Sequence, residues 1–223
     1  MTAAPPTVRK VELHEWRRAT QALAEAFEAD PVAQYLSNCD GNTAEQARAI
    51  DLKIFEYIIY AHLLRGLVLE IDDFQGLACW MPPNQNMDDW GTIFRSGMWR
   101  LYYQLGPESK QRYFKEFLPK LHDAKADVMG DRDNNSWYLV YIGTVPSARG
   151  KGYSRKLVEY VTDIADRNGQ ACYLESSTAQ NLPIYERYGF EEKVTITLDR
   201  AKAPVPLHCM IREPKIIKDD SDD

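Results

Sequence analysis

The feature that most constrains the fold is a predicted strand followed by a turn with two glycines, an amphipathic helix and a second strand. Residues 137–142 are aromatic and β-branched, which is typical of a buried strand. Apolar residues recur at helical spacing from about residue 152 to 167, and residues 171–175 predict the second strand. Two strands joined through a helix run parallel in one sheet, with a right-handed crossover.

The first 81 residues predict a short strand, two helices and a hairpin. Because a residue before proline is pushed out of the helical region, the first helix is expected to end at Asp30, before Pro31. Thr43 and Gln46 form a capping box that begins the second helix. The predicted elements are a strand at 8–13, a helix at 14–28, a helix at 43–65, and paired strands at 67–71 and 76–81.

Residues 84–136 carry helical patterns without a clear strand, and predict a helical insert before the strand at 137. One helix is expected at 89–105 and a second after Gly106, with flexible segments at both ends of the insert, the second at 130–136. Further along the chain, a short helix at 182–188 and strands at 192–198 and 207–212 are predicted.

Together these elements predict an α/β (α+β) fold with a mixed central sheet flanked by helices, since the hairpins are antiparallel and the crossover is parallel. We expect a single domain over residues 1–214. Residues 215–223 form an acidic charge run that is expected to be disordered.

The charge and composition of the chain exclude several classes of partner. The net charge is −6, whereas nucleic-acid binding relies on clustered surplus Lys and Arg. No apolar run approaches the ~20 residues that span a bilayer, and no secretory signal is expected at the N-terminus, so no membrane partner is predicted. The four cysteines and four histidines are dispersed, so no metal site is predicted, and free thiols favour a reducing, cytoplasmic location.

The turn after the strand at 137–142 has the composition of a phosphate-binding site. Gly150 and Gly152 let the backbone turn tightly and bring its amides close to a bound group. Those amides begin a helix, where unpaired N–H groups and the helix dipole favour an anion, and Arg149 and Lys151 add positive charge. The turn lacks the pattern of a Walker loop and of a dinucleotide fingerprint. Ordinary turn chemistry is the alternative interpretation.

Two motifs resemble those of the GNAT superfamily of N-acetyltransferases. The run Arg149-Gly-Lys-Gly-Tyr-Ser154 is similar to that family's coenzyme loop, [RQ]-x-x-G-x-[GA], with Ser154 in place of the final Gly or Ala. Residues 181–190, Asn-Leu-Pro-Ile-Tyr-Glu-Arg-Tyr-Gly-Phe, are similar to its closing motif. One helix and one strand separate the two motifs, as the family requires. The resemblance is strong over residues 137–200, and in the N-terminal half it extends to the order of the elements.

The resemblance implies that the two parallel strands splay apart and that acetyl-CoA, the acyl donor, lies in the gap. It also implies direct transfer to an amine in a ternary complex, aided by a backbone N–H at a bulge near residues 140–142. Asn181 is expected to hydrogen-bond the pantetheine arm, to cap its helix, or both. The residues implied in coenzyme binding are Ile142, Gly143, Thr144, Arg149, Gly150, Lys151, Gly152, Tyr153, Ser154 and Asn181.

Two side chains are candidates for proton transfer. Tyr185 matches the family's usual acid, because a phenol stays protonated at neutral pH and can donate to the leaving thiolate. Packing of its ring beside the coenzyme is the alternative. Glu175, at the end of the second parallel strand, is the candidate base, and a capping or ion-pair role is its alternative. Glu70 and Asp72, in the hairpin, are weaker candidates.

The sequence leaves the acceptor open. We expect a small-molecule primary amine, and the acidic balance favours a cationic one. Protein or peptide N-termini are the alternative substrates, and an acyl-CoA sensor without transfer activity is the alternative class. A monomer or homodimer is expected. The aromatic residues of the insert are predicted to be mostly core, with the wall of an acceptor pocket as the other interpretation. They are Trp90, Phe94, Trp99, Tyr102, Tyr103, Tyr113, Phe114 and Phe117.

Overall fold

The computed structural model of the protein describes residues 6–215, in which seven strands form one sheet. The strands are β1 (Val8–Lys10), β2 (Leu67–Ile71), β3 (Gly76–Met81), β4 (Trp137–Thr144), β5 (Cys172–Ser176), β6 (Glu191–Leu198) and β7 (Val205–Arg212). Their order in the sheet is β1-β2-β3-β4-β5-β7-β6. The β4–β5 pair is parallel and the other neighbours are antiparallel, which confirms the predicted mixed sheet. Apart from Lys215, the predicted tail at 215–223 lies outside the described residues.

Helices flank the sheet and fill the insert. The α-helices are α1 (Trp16–Ala26), α2 (Pro31–Ser37), α3 (Ala44–Arg65), α4 (Trp90–Ser96), α5 (Leu101–Gln104), α6 (Pro107–Lys110), α7 (Leu118–Met129), α8 (Tyr153–Arg167) and α9 (Leu182–Arg187). A π-helical stretch, Gln111–Phe117, joins α6 to α7. The insert therefore contains α4 to α7 and carries no strand between β3 and β4.

Two predictions about the insert were wrong. The single helix expected at 89–105 is broken, because Gly97 adopts a left-handed conformation with φ of 80° and ends α4. The chain restarts as a 3₁₀ turn, Met98–Arg100, that leads into α5. At the other end of the insert, Gly130–Asn135 forms a 3₁₀ helix where a flexible segment was expected.

Asp30 begins a helix that the sequence analysis did not predict. Its side chain accepts hydrogen bonds from the backbone N–H groups of Val32 and Ala33, at 2.9 and 3.0 Å. Pro31 occupies the first position of α2, where its missing N–H costs nothing and its fixed φ suits the helix. The Asp-Pro pair therefore marks the start of α2 as well as the end of the α1 segment.

The parallel strands β4 and β5 separate half-way along β4. Their pairing ends at Leu139 opposite Leu174, whereas β4 continues to Thr144. On the other side of β4, the register with β3 shifts so that Val140 is an extra residue opposite the step from Cys79 to Trp80. A bulge of this kind bends a strand and interrupts its ladder. The gap between β4 and β5 therefore opens at Val140, within the range in which a bulge was predicted.

Buried clusters hold the insert to the rest of the chain. The largest cluster joins α1, α3 and α8 to the central strands. A second cluster includes Tyr35 on α2, Ile58 on α3, Leu101 and Phe117 from the insert, and Leu198 on β6. Because the insert shares this cluster with elements from both ends of the chain, it packs into the fold and does not stand apart from it.

Candidate active site

A cavity of about 800 Å³ lies where β4 and β5 separate. Its walls include the half of β4 that does not pair with β5, the end of β5, the turn before α8 and helix α9. Residues of α2, α3 and α7 also line it. The same cavity therefore connects the glycine turn with the helical insert.

The turn before α8 presents free backbone amides. Gly150 and Gly152 have φ of 83° and 77°, a left-handed conformation that side chains disfavour, and a Cβ at either position would meet no atom within 4 Å. Within the described chain, the amides of residues 150–154 donate to no backbone carbonyl. Arg149 lies beside them, with its guanidinium donating to the carbonyl oxygens of Thr144 and Ala26 at 3.4 and 3.2 Å. This arrangement suits a phosphate or pyrophosphate group.

The first residues of α8 are tied to neighbouring elements. The ring of Tyr153 is buried and its hydroxyl is hydrogen-bonded to Asp72 in the β2–β3 turn. Ser154 Oγ lies 2.9 Å from the hydroxyl of Tyr188, after α9. These contacts fix the start of the helix, so that its amides keep their orientation. They also engage Asp72 outside the cavity, and the structure therefore gives it no place as a base.

The structure brings most of the predicted coenzyme residues together. All of them line the cavity except Gly143 and Lys151. A Cβ on Gly143 would lie 2.7 Å from Cβ of Ala26, so this glycine allows the end of α1 to approach β4. The Lys151 ammonium lies 5.6 Å from the centroid of the Tyr153 ring.

Asn181 lines the cavity but does not cap α9 with its side chain. Its backbone is already helical, with φ of −85° and ψ of −17°, whereas a capping side chain needs an extended backbone. Of the two roles expected for Asn181, the capping role was therefore wrong.

Tyr185 lies on α9 and lines the cavity. Its ring packs beside Tyr188 and Phe190, with centroid distances of 6.5 and 6.2 Å. Burial raises the pKa of the Tyr185 hydroxyl above its ordinary value. The phenol is therefore protonated at neutral pH and able to donate a proton.

Glu175 lies near the end of β5, past the point where β4 and β5 separate, and lines the cavity. Its Oε2 accepts a hydrogen bond of 2.7 Å from the hydroxyl of Tyr138, and its buried Oε1 has no partner in residues 6–215. Burial raises the pKa of Glu175 to about 7. By contrast, Glu70 is buried outside the cavity, where it pairs with Arg9 and accepts from the N–H of Phe74.

Comparisons with known proteins identify the family. Residues 123–192 match the family model of the acetyltransferase (GNAT) domain. Over 207 residues the chain is 49% identical to an uncharacterized N-acetyltransferase, C550.08, of Schizosaccharomyces pombe, and the alignment covers 93% of this chain and 83% of the relative. The chain belongs to the GNAT acetyltransferase family. The resemblance of its two motifs is thereby confirmed, and the protein is an acetyl-transferring enzyme.

The GNAT fold is confirmed by solved structures. One solved structure, from Corynebacterium glutamicum, is described as histone acetyltransferase HPA2 and related acetyltransferase. It superposes on this protein with a TM-score of 0.62 at 20% identity, over 97% of this chain and 100% of that chain. Arylalkylamine N-acetyltransferase 2 from Aedes aegypti superposes with a TM-score of 0.66 at 17% identity, over 95% and 100% of the two chains. At these identities the likeness concerns the fold.

Besides Glu175, the cavity of this GNAT protein contains two carboxylates, Asp30 and Asp51. The resemblance places residues 26–31 at the acceptor cleft, with a helix-ending role as the alternative for Asp30, whereas the sequence analysis did not predict Asp51. Asp30 lines it at the start of α2, and burial raises the pKa of that carboxyl. Asp51 lines it from α3, and burial raises its pKa to about 6. Asp51 shares the helical spacing of Ala47, Ile54 and Ile58, which are buried. A carboxylate on an otherwise apolar helix face is the sequence signal that could have identified Asp51.

The aromatic residues of the insert differ in burial, and the prediction that most of them are core was wrong. Tyr113 and Phe117 are buried and line the cavity. Phe114 is half-buried. Five others are exposed, from Trp99 at 41% to Trp90 at 78%, because α4, the 3₁₀ turn after it and α5 turn these faces away from the core. The exposed five are Trp90, Phe94, Trp99, Tyr102 and Tyr103.

Within residues 6–215 of this GNAT protein, no group of three or more His, Cys, Asp or Glu side chains is arranged to hold a metal ion. No helix in that part of the chain has the length and apolar character needed to cross a bilayer.

Proposed function

We propose that this GNAT protein transfers the acetyl group of acetyl-CoA to the primary amine of a small cationic molecule, directly and within a ternary complex. The observation that carries the proposal is the continuous cavity, which is lined by the glycine turn at one part and by Tyr185, Glu175 and two further carboxylates at others. Holding both reactants in line within one cavity can supply about 7–11 kcal/mol of the barrier by positioning.

The donor end of the proposal rests on the turn before α8. Its left-handed glycines, free amides and Arg149 fit the diphosphate of a coenzyme, because no side chain fills the space beside Gly150 or Gly152. When bound, acetyl-CoA supplies the thioester carbonyl that an amine attacks. The bulge at Val140 is our candidate for the backbone donor that stabilises developing negative charge, a contribution of about 2.7–4 kcal/mol per donor.

Glu175 is the proposed base. A carboxyl with a pKa of about 7 is part ionised at neutral pH and can accept a proton from an ammonium group, directly or through water. Glu175 lines the cavity and has no ionic partner among residues 6–215. Its Oε1 makes no hydrogen bond within those residues, so this atom is available to accept a proton from a donor that enters the cavity.

Tyr185 is the proposed acid. Its raised pKa keeps the phenol protonated, and its position on the cavity wall suits donation to the leaving thiolate. With Glu175 on β5 and Tyr185 on α9, the accepting and the donating group come from different elements.

The charge and shape of the cavity support a small cationic acceptor. Asp30, Asp51 and Glu175 line it, and burial raises the pKa of each because the charge is poorly solvated. A bound ammonium would favour their ionised forms. The rings of Tyr113 and Phe117 line the cavity and can pack against an apolar portion of the acceptor. Two structural neighbours are named for small amines, the arylalkylamine N-acetyltransferase 2 of Aedes aegypti and a polyamine N-acetyltransferase of Drosophila melanogaster, which superposes with a TM-score of 0.57 at 11% identity.

We also propose that residues 1–214 form one domain, because the buried clusters of the described part cross from the insert to both ends of the chain. A cytoplasmic location is proposed on the four free cysteines, Cys39, Cys79, Cys172 and Cys209, since thiols persist in reducing compartments.

A panel of amines tests the function. The purified protein is incubated with acetyl-CoA and arylalkylamines, aliphatic diamines, polyamines or a peptide with a free N-terminus, and released thiol is measured together with acetylated product. We expect at least one small cationic amine to exceed background hydrolysis, and the Glu175→Gln variant to lose that activity. Acetylation of the peptide in preference to every small amine would favour the alternative substrate. Coenzyme binding without any transfer would favour an acyl-CoA sensor.

A further inference from the structure

We propose that Tyr138 is a positioning residue of the transfer reaction: its hydroxyl holds Glu175 in the cavity wall and favours the ionised form that a base requires. The inference rests on the proposed base role of Glu175. Tyr138 lies in β4 beside Tyr173 of β5, at the second of the three residue pairs that join the two strands.

The geometry gives Tyr138 one polar function. Its hydroxyl donates to Oε2 of Glu175 at 2.7 Å, whereas Oε1 is buried without a partner in the described chain. A hydrogen bond donated to a carboxylate favours the ionised form, and burial opposes it. With one oxygen held by Tyr138, the unpartnered oxygen is left to accept a proton from the amine or from a water.

Other groups around Glu175 do not replace this hydrogen bond. The titratable and charged groups that face Glu175 are Tyr138 and Tyr141 on β4, Tyr173 on β5, His122 and Lys125 on α7, and Cys209 on β7. The ammonium of Lys125 lies 5.6 and 6.0 Å from the ring centroids of Tyr138 and Tyr173, and it is bonded to Asp133. It therefore acts on Glu175 at a distance.

Tyr173 provides a matched control for Tyr138. The two rings pack at 5.5 Å with an interplanar angle of 57°, so both contribute to the same aromatic contact. The hydroxyl of Tyr173 has no hydrogen-bond partner within residues 6–215. Replacing either tyrosine by phenylalanine keeps the ring. The change at position 138 removes the 2.7 Å hydrogen bond to Glu175, whereas the change at position 173 removes a hydroxyl that lowers the pKa of Glu175 less.

The direct test measures the titration of Glu175 in the protein without substrate. The side-chain carboxyl carbons of glutamate are labelled with ¹³C, and the Glu175 signal is identified by its loss in Glu175→Gln. We expect Tyr138→Phe to raise the titration midpoint of Glu175 by about one to two pH units, and Tyr173→Phe to move it less. An unchanged midpoint in Tyr138→Phe, or equal shifts in the two variants, would overturn the inference.

Kinetics provide the second readout. Because the base must be ionised, the acidic limb of the kcat/KM profile in Tyr138→Phe is expected to move to higher pH, with activity recovering at high pH. A purely structural defect would not be rescued by pH. In the Glu175→Gln background, Tyr138→Phe is expected to have no further effect on kcat. A failed amine panel bears on the proposed function, whereas the substrate-free titration bears on Tyr138 alone.

Discussion

The hydroxyl of Ser177 donates a hydrogen bond of 2.5 Å to Oδ2 of Asp30, and thereby joins the end of β5 to the start of α2. The other oxygen of Asp30 caps α2. Both residues line the cavity. A single carboxylate therefore fixes a helix, braces the strand that carries Glu175, and adds negative charge to the proposed acceptor site.

Replacing Asp30 by asparagine removes its charge and, because an amide nitrogen cannot accept, also the hydrogen bond donated by Ser177. An amide keeps an acceptor for the α2 cap, so we expect Asp30→Asn to raise the KM for a cationic amine about tenfold, or ~1.4 kcal/mol, with an unchanged KM for acetyl-CoA. Because burial raises the pKa of Asp30, the charge is unfavourable in the folded state, and the variant is expected to be no less stable at neutral pH. Steady-state kinetics and thermal unfolding measure both effects, with Ser177→Ala as the control that keeps the charge. Equal KM values for the amine would remove Asp30 from acceptor binding.

The phosphate-binding role of the turn before α8 predicts the effect of a negative charge there. Coenzyme A is expected to raise the melting temperature of the wild type, and Gly152→Asp is expected to abolish that increase. Gly169→Asp is the control, because Gly169 also has a positive φ, of 62°, with no atom within 4 Å of an added Cβ. Both variants add the same charge at a left-handed glycine, but Gly169 lies outside the cavity. A full coenzyme shift in Gly152→Asp would contradict the assignment.

The acid role of Tyr185 predicts a kinetic defect without a binding defect. Tyr185→Phe keeps the ring beside Phe190 and removes the proton donor, so we expect kcat to fall by roughly 10²-fold or more while coenzyme affinity changes little. Turnover and calorimetric binding of coenzyme A measure the two quantities. Tyr160→Phe, on α8 and outside the cavity, controls for loss of a tyrosine hydroxyl. If kcat is unaltered in Tyr185→Phe, packing beside the coenzyme becomes the role of this ring.

Asp51 predicts a pH-dependent stability. Its pKa rises from an ordinary 3.8 to about 6 on folding, so its unfavourable contribution to the folded state is absent below pH 4 and complete above pH 6. Asp51→Asn is therefore expected to stabilise the protein above pH 6. A shift of two units corresponds to ~3 kcal/mol, and partial exposure reduces the expected gain to about 1–2 kcal/mol. Denaturant unfolding from pH 4.5 to 8 measures it, and a gain that does not grow with pH would contradict the raised pKa.

Local elements were the most predictable part of the fold. The capping box at Thr43 begins α3 as expected, and Gly152 precedes the first residue of α8. These features follow from hydrogen bonds and backbone preferences within a few residues. Where two local signals compete, the prediction failed: at Asp30 the same residues end one segment and begin the next, and at Gly97 a glycine broke a continuous helical pattern.

The composition of the candidate site was less predictable. Tyr185 became a candidate through its position in the closing motif, and Glu175 through its position at the end of a predicted strand. Tyr138 and Asp51 carry no such motif, and their proximity to the cavity depends on how β4, α3 and β5 pack. The exposure of Trp90 and Tyr103 was missed for the same reason, since helical spacing does not say which face of a helix is covered.

By itself, the sequence determined the order of the strands and of most helices, the left-handed glycine turn and the family motifs, because each depends on interactions between residues close in the chain. Only the tertiary structure decided which carboxylates share one cavity and which hydroxyl holds the candidate base. Asp30, Asp51 and Glu175 are far apart in the chain, and their burial in a common space raises their pKa values. Burial depends on how the elements pack against one another, so the order of residues alone does not show which carboxylates are buried.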